Sequence, residues 1–142
     1  MEEGVDRYAK AFVKASLVYL GIGAMLGVVM VLWPDVRFTL ARVHTHITLL
    51  GFMAMMVYGV GYHILPRFMG RPLYSNKLGE VQFWLANISL VAMLLFYCLD
   101  VFIPGGPYRT LAVVSGAVQA LTIFLFFYNM LMTLLAKQEQ AH

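Results

Sequence analysis

Two imidazoles separated by one residue, His44 and His46 in Arg42-Val43-His44-Thr45-His46, stand at the head of an apolar run that reaches Pro66. Imidazole is the commonest metal-ligating side chain, and a histidine in a membrane helix is costly to keep for packing alone. On a helix that turns by about 100° per residue, positions two apart point about 200° apart. A regular helix cannot present both rings to one metal; it offers each ring to a different flank. Arg37, Arg42 and Arg109 fall on the same side of the predicted topology, and a guanidinium pairs well with a carboxylate. Spacing alone leaves two uses open for each ring: ligation of a metal in a cleft, or a hydrogen bond to a carbonyl or interfacial water.

The elements that must position these groups follow from composition. The chain has 142 residues, 61% hydrophobic and 12% charged, and its mean hydropathy is +0.78, which is outside the range of soluble domains. Apolar stretches run over about 12–33, 43–65, 81–103 and 111–135, and each is long enough to cross a hydrocarbon core as a helix. Their connections are short and carry the breakers Trp33-Pro34-Asp35, Pro66-Arg67-Phe68-Met69-Gly70-Arg71-Pro72 and Pro104-Gly105-Gly106-Pro107. Consecutive helices are therefore expected to be antiparallel neighbours. The expected fold is an all-α membrane protein: a single domain over 1–142 with four transmembrane helices, up and down, in a bundle or arc.

Arg7, Lys10, Lys14, Arg67, Arg71, Lys77 and Lys137 lie on one side of this topology and outnumber Arg37, Arg42 and Arg109 on the other. The bias places both termini in the cytoplasm and the histidine pair toward the outer face. Mixed charges precede an apolar span too long for a signal core, so no cleavable signal peptide is expected. The net charge of +3 is accounted for by the cytoplasmic loops and tail. Anionic headgroups of the lipid bilayer suffice as its partner, with no nucleic acid. Cys98 is the single cysteine, which excludes an intrachain disulfide, and no Cys-x-x-Cys-His run offers covalent haem attachment.

Other polar and small residues have plainer readings. Gly23 and Gly27 have the spacing of a close helix contact, and Tyr8, Tyr19 and Trp33 read as interfacial anchors. Met53, Met55 and Met56 read as gap fillers. His63 lies about 25 Å of helix rise from the pair and reads as a hydrogen-bonded interfacial residue; His142 has no argued role. Asn87, deep in the bilayer, is expected to bond across helices, Glu80 to pair with Lys77, and Asp100 to contact Arg109. In the last helix Ser115-Gly116-Ala117 and Ala120 favour close contact, and Phe124, Phe126, Phe127 and Tyr128 pack against helices or lipid or line a pocket. Gln119 is a candidate supporting partner.

His44-x-His46-x-x-x-Leu50-Gly51-Phe52, followed by Tyr62, Pro66-Arg67, Gly70-Arg71, Leu73-Tyr74-Ser75, Lys77-Leu78, Glu80 and Phe83-Trp84-Leu85-Ala86, resembles the tenth and eleventh helices of subunit I of C-family haem-copper oxidases. The resemblance implies that His44 corresponds to the ligand of the high-spin haem and His46 to that of the low-spin haem. It implies that Arg109 pairs with haem propionates, with Arg42 and Arg37 able to supplement it. The family's copper-binding histidines and cross-linked tyrosine lie on helices that this chain lacks, so one protomer is not a complete oxidase.

The family's subunit has three four-helix arcs, and this chain looks like one of them, which suggests a homotrimer. In such a ring each intersubunit cleft sees His44 of one protomer and His46 of its neighbour, an arrangement suited to non-covalent, bis-histidine haem b. The function implied is electron transfer by an oxidase-like component of a respiratory chain, with a further redox partner, in a bacterial or archaeal inner membrane. Two alternatives stand beside it: a gas-binding or gas-reducing haem centre for oxygen or nitric oxide, and a haem-free scaffold or oxidase-assembly partner. Transport of copper or zinc by the histidines is a weaker reading.

Overall fold

A computed structural model describes residues 2–135, with side chains from residue 7 onward; Lys137 and His142 lie outside the described residues. The elements in order are α1 (Glu2–Leu32), a 3₁₀ turn (Pro34–Val36), α2 (Arg37–His46), a π-helical segment (Ile47–Ala54), α3 (Met55–Phe68), α4 (Asn76–Phe102) and α5 (Tyr108–Leu135). Four stretches are long and apolar enough to cross a membrane: Arg7–Leu32, Pro34–Phe68, Asn76–Phe102 and Tyr108–Leu135. This is the all-helical, integral-membrane architecture that the hydropathy predicts.

Local chemistry sets the element ends. Trp33, at φ −125° and ψ 85°, is held out of the α region by Pro34, and α1 stops there. The second span begins at Arg37 rather than near 43, so the histidines close a helix of 10 residues instead of opening one. Directly after His46 the backbone widens into 8 residues of π-helix, and such wide turns recur at functional positions. Pro66 does not end the span; it lies inside α3. Gly70, with φ +61°, terminates it. The Gly70 N–H reaches the Arg67 carbonyl at 3.1 Å and the Arg71 N–H the Pro66 carbonyl at 3.0 Å, the paired bonds of a Schellman end.

α4 starts at a built cap. The Ser75 hydroxyl accepts from the Leu78 N–H at 3.2 Å, while Asn129 on α5 takes the Ser75 N–H at 3.0 Å and donates to the Ser75 carbonyl at 2.9 Å. Ser75→Ala removes only the hydroxyl and is expected to cost about 1 kcal/mol. Equilibrium unfolding in mixed micelles measures it.

The interior is aromatic where α1, α3, α4 and α5 meet. Phe12 stands edge-on to Phe83 at 5.0 Å, and Phe126 packs on Tyr58 at 4.9 Å and on Tyr62 at 5.3 Å. Tyr8, expected at the interface, is instead a core residue at 6% exposure, edge-on to Tyr62. The cause is the early start of α1, at Glu2 rather than near 12. That same extension brings Arg7 to Glu80 at 3.4 Å, replacing the expected pairing of Glu80 with Lys77. Both partners are exposed, and the pair contributes little. Tyr19 is half-buried and donates to Asn87 Oδ1 at 3.1 Å, the interhelical bond expected of that amide. Trp33 remains exposed at its helix end.

Candidate functional site

α2, the last turns of α4 and the first turns of α5 meet at one end of the chain's helical bundle around a cleft of about 660 Å³. Arg42 and His46 line it from α2, Met93, Tyr97 and Asp100 from α4, and Arg109, Ala112 and Gly116 from α5. The Arg42 guanidinium lies over the Tyr97 ring, 4.6 Å from its centroid, an attraction between the cation and the negative face of the phenol. Asp100 and Arg109, expected to touch, both line this cleft, but among the described residues no ion pair joins them. The wall therefore combines apolar residues with charged and imidazole side chains.

His46 Nδ1 lies 2.7 Å from the Arg42 carbonyl oxygen, one turn back on its own helix. A carbonyl can only accept, so Nδ1 carries the proton, and the Nε2 lone pair is left for another partner. His44 has the same arrangement on the opposite flank. Its Nδ1 lies 3.0 Å from the Gly23 carbonyl of α1. The ring lies beside Gly27, where an added Cβ would stand 3.4 Å from His44 Cε1, an ordinary contact distance. The two histidines serve different flanks, as helical geometry requires, and the Gly23/Gly27 contact is made within the protomer.

His63 is different: Arg67 Nη1 lies 2.6 Å from its Nδ1, and since a guanidinium only donates, that nitrogen must accept. Its ring bonds locally, as expected, and in the tautomer opposite to that of His44 and His46.

Not every residue singled out from the sequence reaches the cleft. Arg42, His46 and Arg109 are brought together; Arg37 is exposed and does not line it. Phe126 belongs to the aromatic core, Phe124 and Phe127 are exposed, and Tyr128 meets Tyr74, so the aromatic run builds no cleft wall. Gln119 is buried against α4, where its Oε1 accepts from Ser89 at 2.6 Å, and supports no ligand directly. Met93 and Tyr97 were missed. Counting back from Asp100 by helical steps of three and four would have found both, since they share its face.

Among the described residues no three His, Cys, Asp or Glu side chains converge to hold a metal ion. A copper or zinc centre built from protein donors asks for three or four of them, whereas haem iron takes one or two.

Comparison with known proteins returns a partial likeness. A stretch of 49 residues is 45% identical to cytochrome c oxidase subunit 1 of Rhodobacter capsulatus. It covers 34% of this chain and 9% of that protein. No family model matches the chain, and no solved structure matches it.

Proposed function

We propose that the chain is a membrane b-type haem protein, similar to a fragment of haem-copper oxidase subunit I, that assembles as a homotrimer and passes electrons through haem b held between subunits. The observation that carries the reading is His46, whose Nδ1 is committed to a carbonyl while its ring lines a cleft with Arg42 and Arg109. The partial identity with an oxidase subunit supports it.

The residues present fit the group. The cleft volume of 660 Å³ lies within the range of about 300–1,000 Å³ usual for cofactor sites. Met93, Leu94 and Val113 offer apolar contact, and Ala112 and Gly116 keep the floor low. Two guanidinium groups match the two carboxylates of a porphyrin. The Nδ1–H bond fixes the His46 tautomer and strengthens Nε2 as a donor. Bound there, haem supplies a reversible one-electron iron couple. The chain's own contribution is to hold His46 in one orientation, to neutralise the carboxylates and to keep water from the apolar face.

A cleft on the side of one protomer covers one face of a flat ligand. In a three-fold ring the neighbour's other flank, which carries its His44, closes the opposite face and supplies the second imidazole. Held by His46 on one side and by the neighbour's His44 on the other, the group would supply electron exchange with a redox partner rather than binding of oxygen or nitric oxide. The charge bias puts both termini in the cytoplasm and the cleft toward the outer face of a bacterial or archaeal inner membrane.

The test is the mass of the intact detergent-solubilised complex from haem-replete cells, with haem quantified per chain. Three chains per particle with one haem each is the expected result. Colourless protein would overturn the cofactor, and a coloured monomer would overturn the trimer.

A further inference from the structure

The side of this protein that faces lipid is apolar, but the seam between α4 and α5 is polar along its depth. Gln82, Ser89, Gln119, Thr122, Asn129 and Thr133 are all at most 4% exposed. On α4 the positions Gln82, Ala86, Ser89 and Met93 are spaced by four, three and four, one continuous stripe on a helix. The stripe starts at Gln82, about two turns beyond the Ser75 cap, and ends at Met93, on the wall of the cleft.

Two hydrogen-bonded clusters occupy its ends. At the capped end Asn129 Nδ2 lies 3.5 Å from the Tyr62 hydroxyl, which donates to Gln82 Oε1. At the cleft end Ser89 donates to Gln119 Oε1 at 2.6 Å. Each cluster leaves a donor over: Gln82 Nε2 and Gln119 Nε2 have no partner, nor has the Tyr58 hydroxyl, which faces Thr122 between them. An amide nitrogen or phenol left unbonded at membrane depth is costly, because no lipid group can bond it. The two amide nitrogens cannot pair with each other, because both donate. What satisfies them must accept from amides, exchange bonds with hydroxyls and be small.

We infer that the α4–α5 seam binds a file of water molecules that runs from Gln82 past Tyr58 and Thr122 to Gln119, one helical turn beneath the floor of the cleft. A buried water takes two to four bonds from polar groups that otherwise lack them, and this seam offers such groups at each step. From Gln82 to Met93 the rise is about 16 Å, roughly half of a hydrocarbon core of about 30 Å. The file therefore leads from the capped half of α4 toward the cleft through the protein interior rather than past lipid. It is independent of what occupies the cleft.

Hydroxyl-radical labelling by short X-ray pulses on the full chain in detergent tests it, because radicals made from a buried water label the side chain beside it before they diffuse away. After correction for intrinsic reactivity, Tyr58 and Tyr62 should label severalfold faster than Phe12 and Leu90, which are as deeply buried but have apolar neighbours. Gln82→Leu with Gln119→Leu should bring the tyrosines down to the level of Phe12. Should that variant not fold, Tyr58→Phe, which deletes one oxygen, should lower labelling at Tyr62. Tyrosines as protected as Phe12 in the wild-type chain, or labelling untouched by the substitutions, would overturn the inference.

Discussion

Replacing His46 by alanine is expected to strip haem from the purified protein, lowering its affinity by more than the roughly 10–100-fold that loss of a residue merely supporting a ligand costs. The reason is that His46 is the one imidazole among the residues that line the cleft. His44→Ala has a different expected outcome. Haem would still be held by His46, but without the imidazole of the neighbouring subunit the reduced protein should bind carbon monoxide, which the wild-type protein should not. Arg42→Ala and Arg109→Ala each remove a charged partner worth about 1.5–3 kcal/mol, so they should weaken retention without changing coordination. Optical spectra of the four variants with and without carbon monoxide read all of this. Wild-type protein that binds the gas would favour the gas-binding centre, and colourless wild-type protein would favour the haem-free scaffold.

The number of spans was legible because hydropathy over twenty residues is a strong signal. The flanks of the two histidines were legible because 100° per residue holds within α2. What the sequence hid were the events that depend on partners. The π-helical segment at Ile47–Ala54 contains the ordinary helix formers Leu49, Leu50 and Met53, and no residue type marks it. Its Gly51 lies against Tyr19, whose Cγ would stand 2.6 Å from an added Cβ, a contact that only the tertiary packing of α1 supplies. Pro66 was read as a stop, yet α3 runs on to Phe68, because a membrane helix tolerates a proline that would break a soluble one. Tyr8 looked like an anchor by its distance from the apolar run; only the extension of α1 to Glu2 puts it in the core. In the site, Arg109 was suggested by the family resemblance and Arg42 and Arg37 by lying on the same side of the topology; Arg42 and Arg109 line the cleft, whereas Arg37, five residues from Arg42, does not.

Gly59→Leu is expected to be the most destabilising single change in the protein. A Cβ at 59 would stand 2.7 Å from Val13 Cγ2, 2.8 Å from the Ala9 carbonyl oxygen and 3.0 Å from the Val13 amide nitrogen. Two of those three atoms are α1 backbone, held by helical hydrogen bonds, so neither can swing aside as a side-chain end would. α1 and α3 must separate. Overpacking of this kind costs about 1–3 kcal/mol and sometimes more. Moving α1 also opens the edge-on contacts of Phe12 with Tyr58 and of Tyr8 with Tyr62, each worth about 0.5–1.5 kcal/mol. A loss of about 4 kcal/mol follows, a large part of ordinary domain stability. Gly21 provides the control, since an added Cβ there meets nothing within 4 Å and alanine gains up to about 1 kcal/mol of helix propensity. Unfolding in mixed micelles should therefore move in opposite directions for Gly59→Leu and Gly21→Ala. The effect should also reach His44, because the carbonyl that fixes its ring belongs to Gly23 on the same helix; an α1 pushed away at Val13 tilts that acceptor, and the ring loses the bond that sets its tautomer.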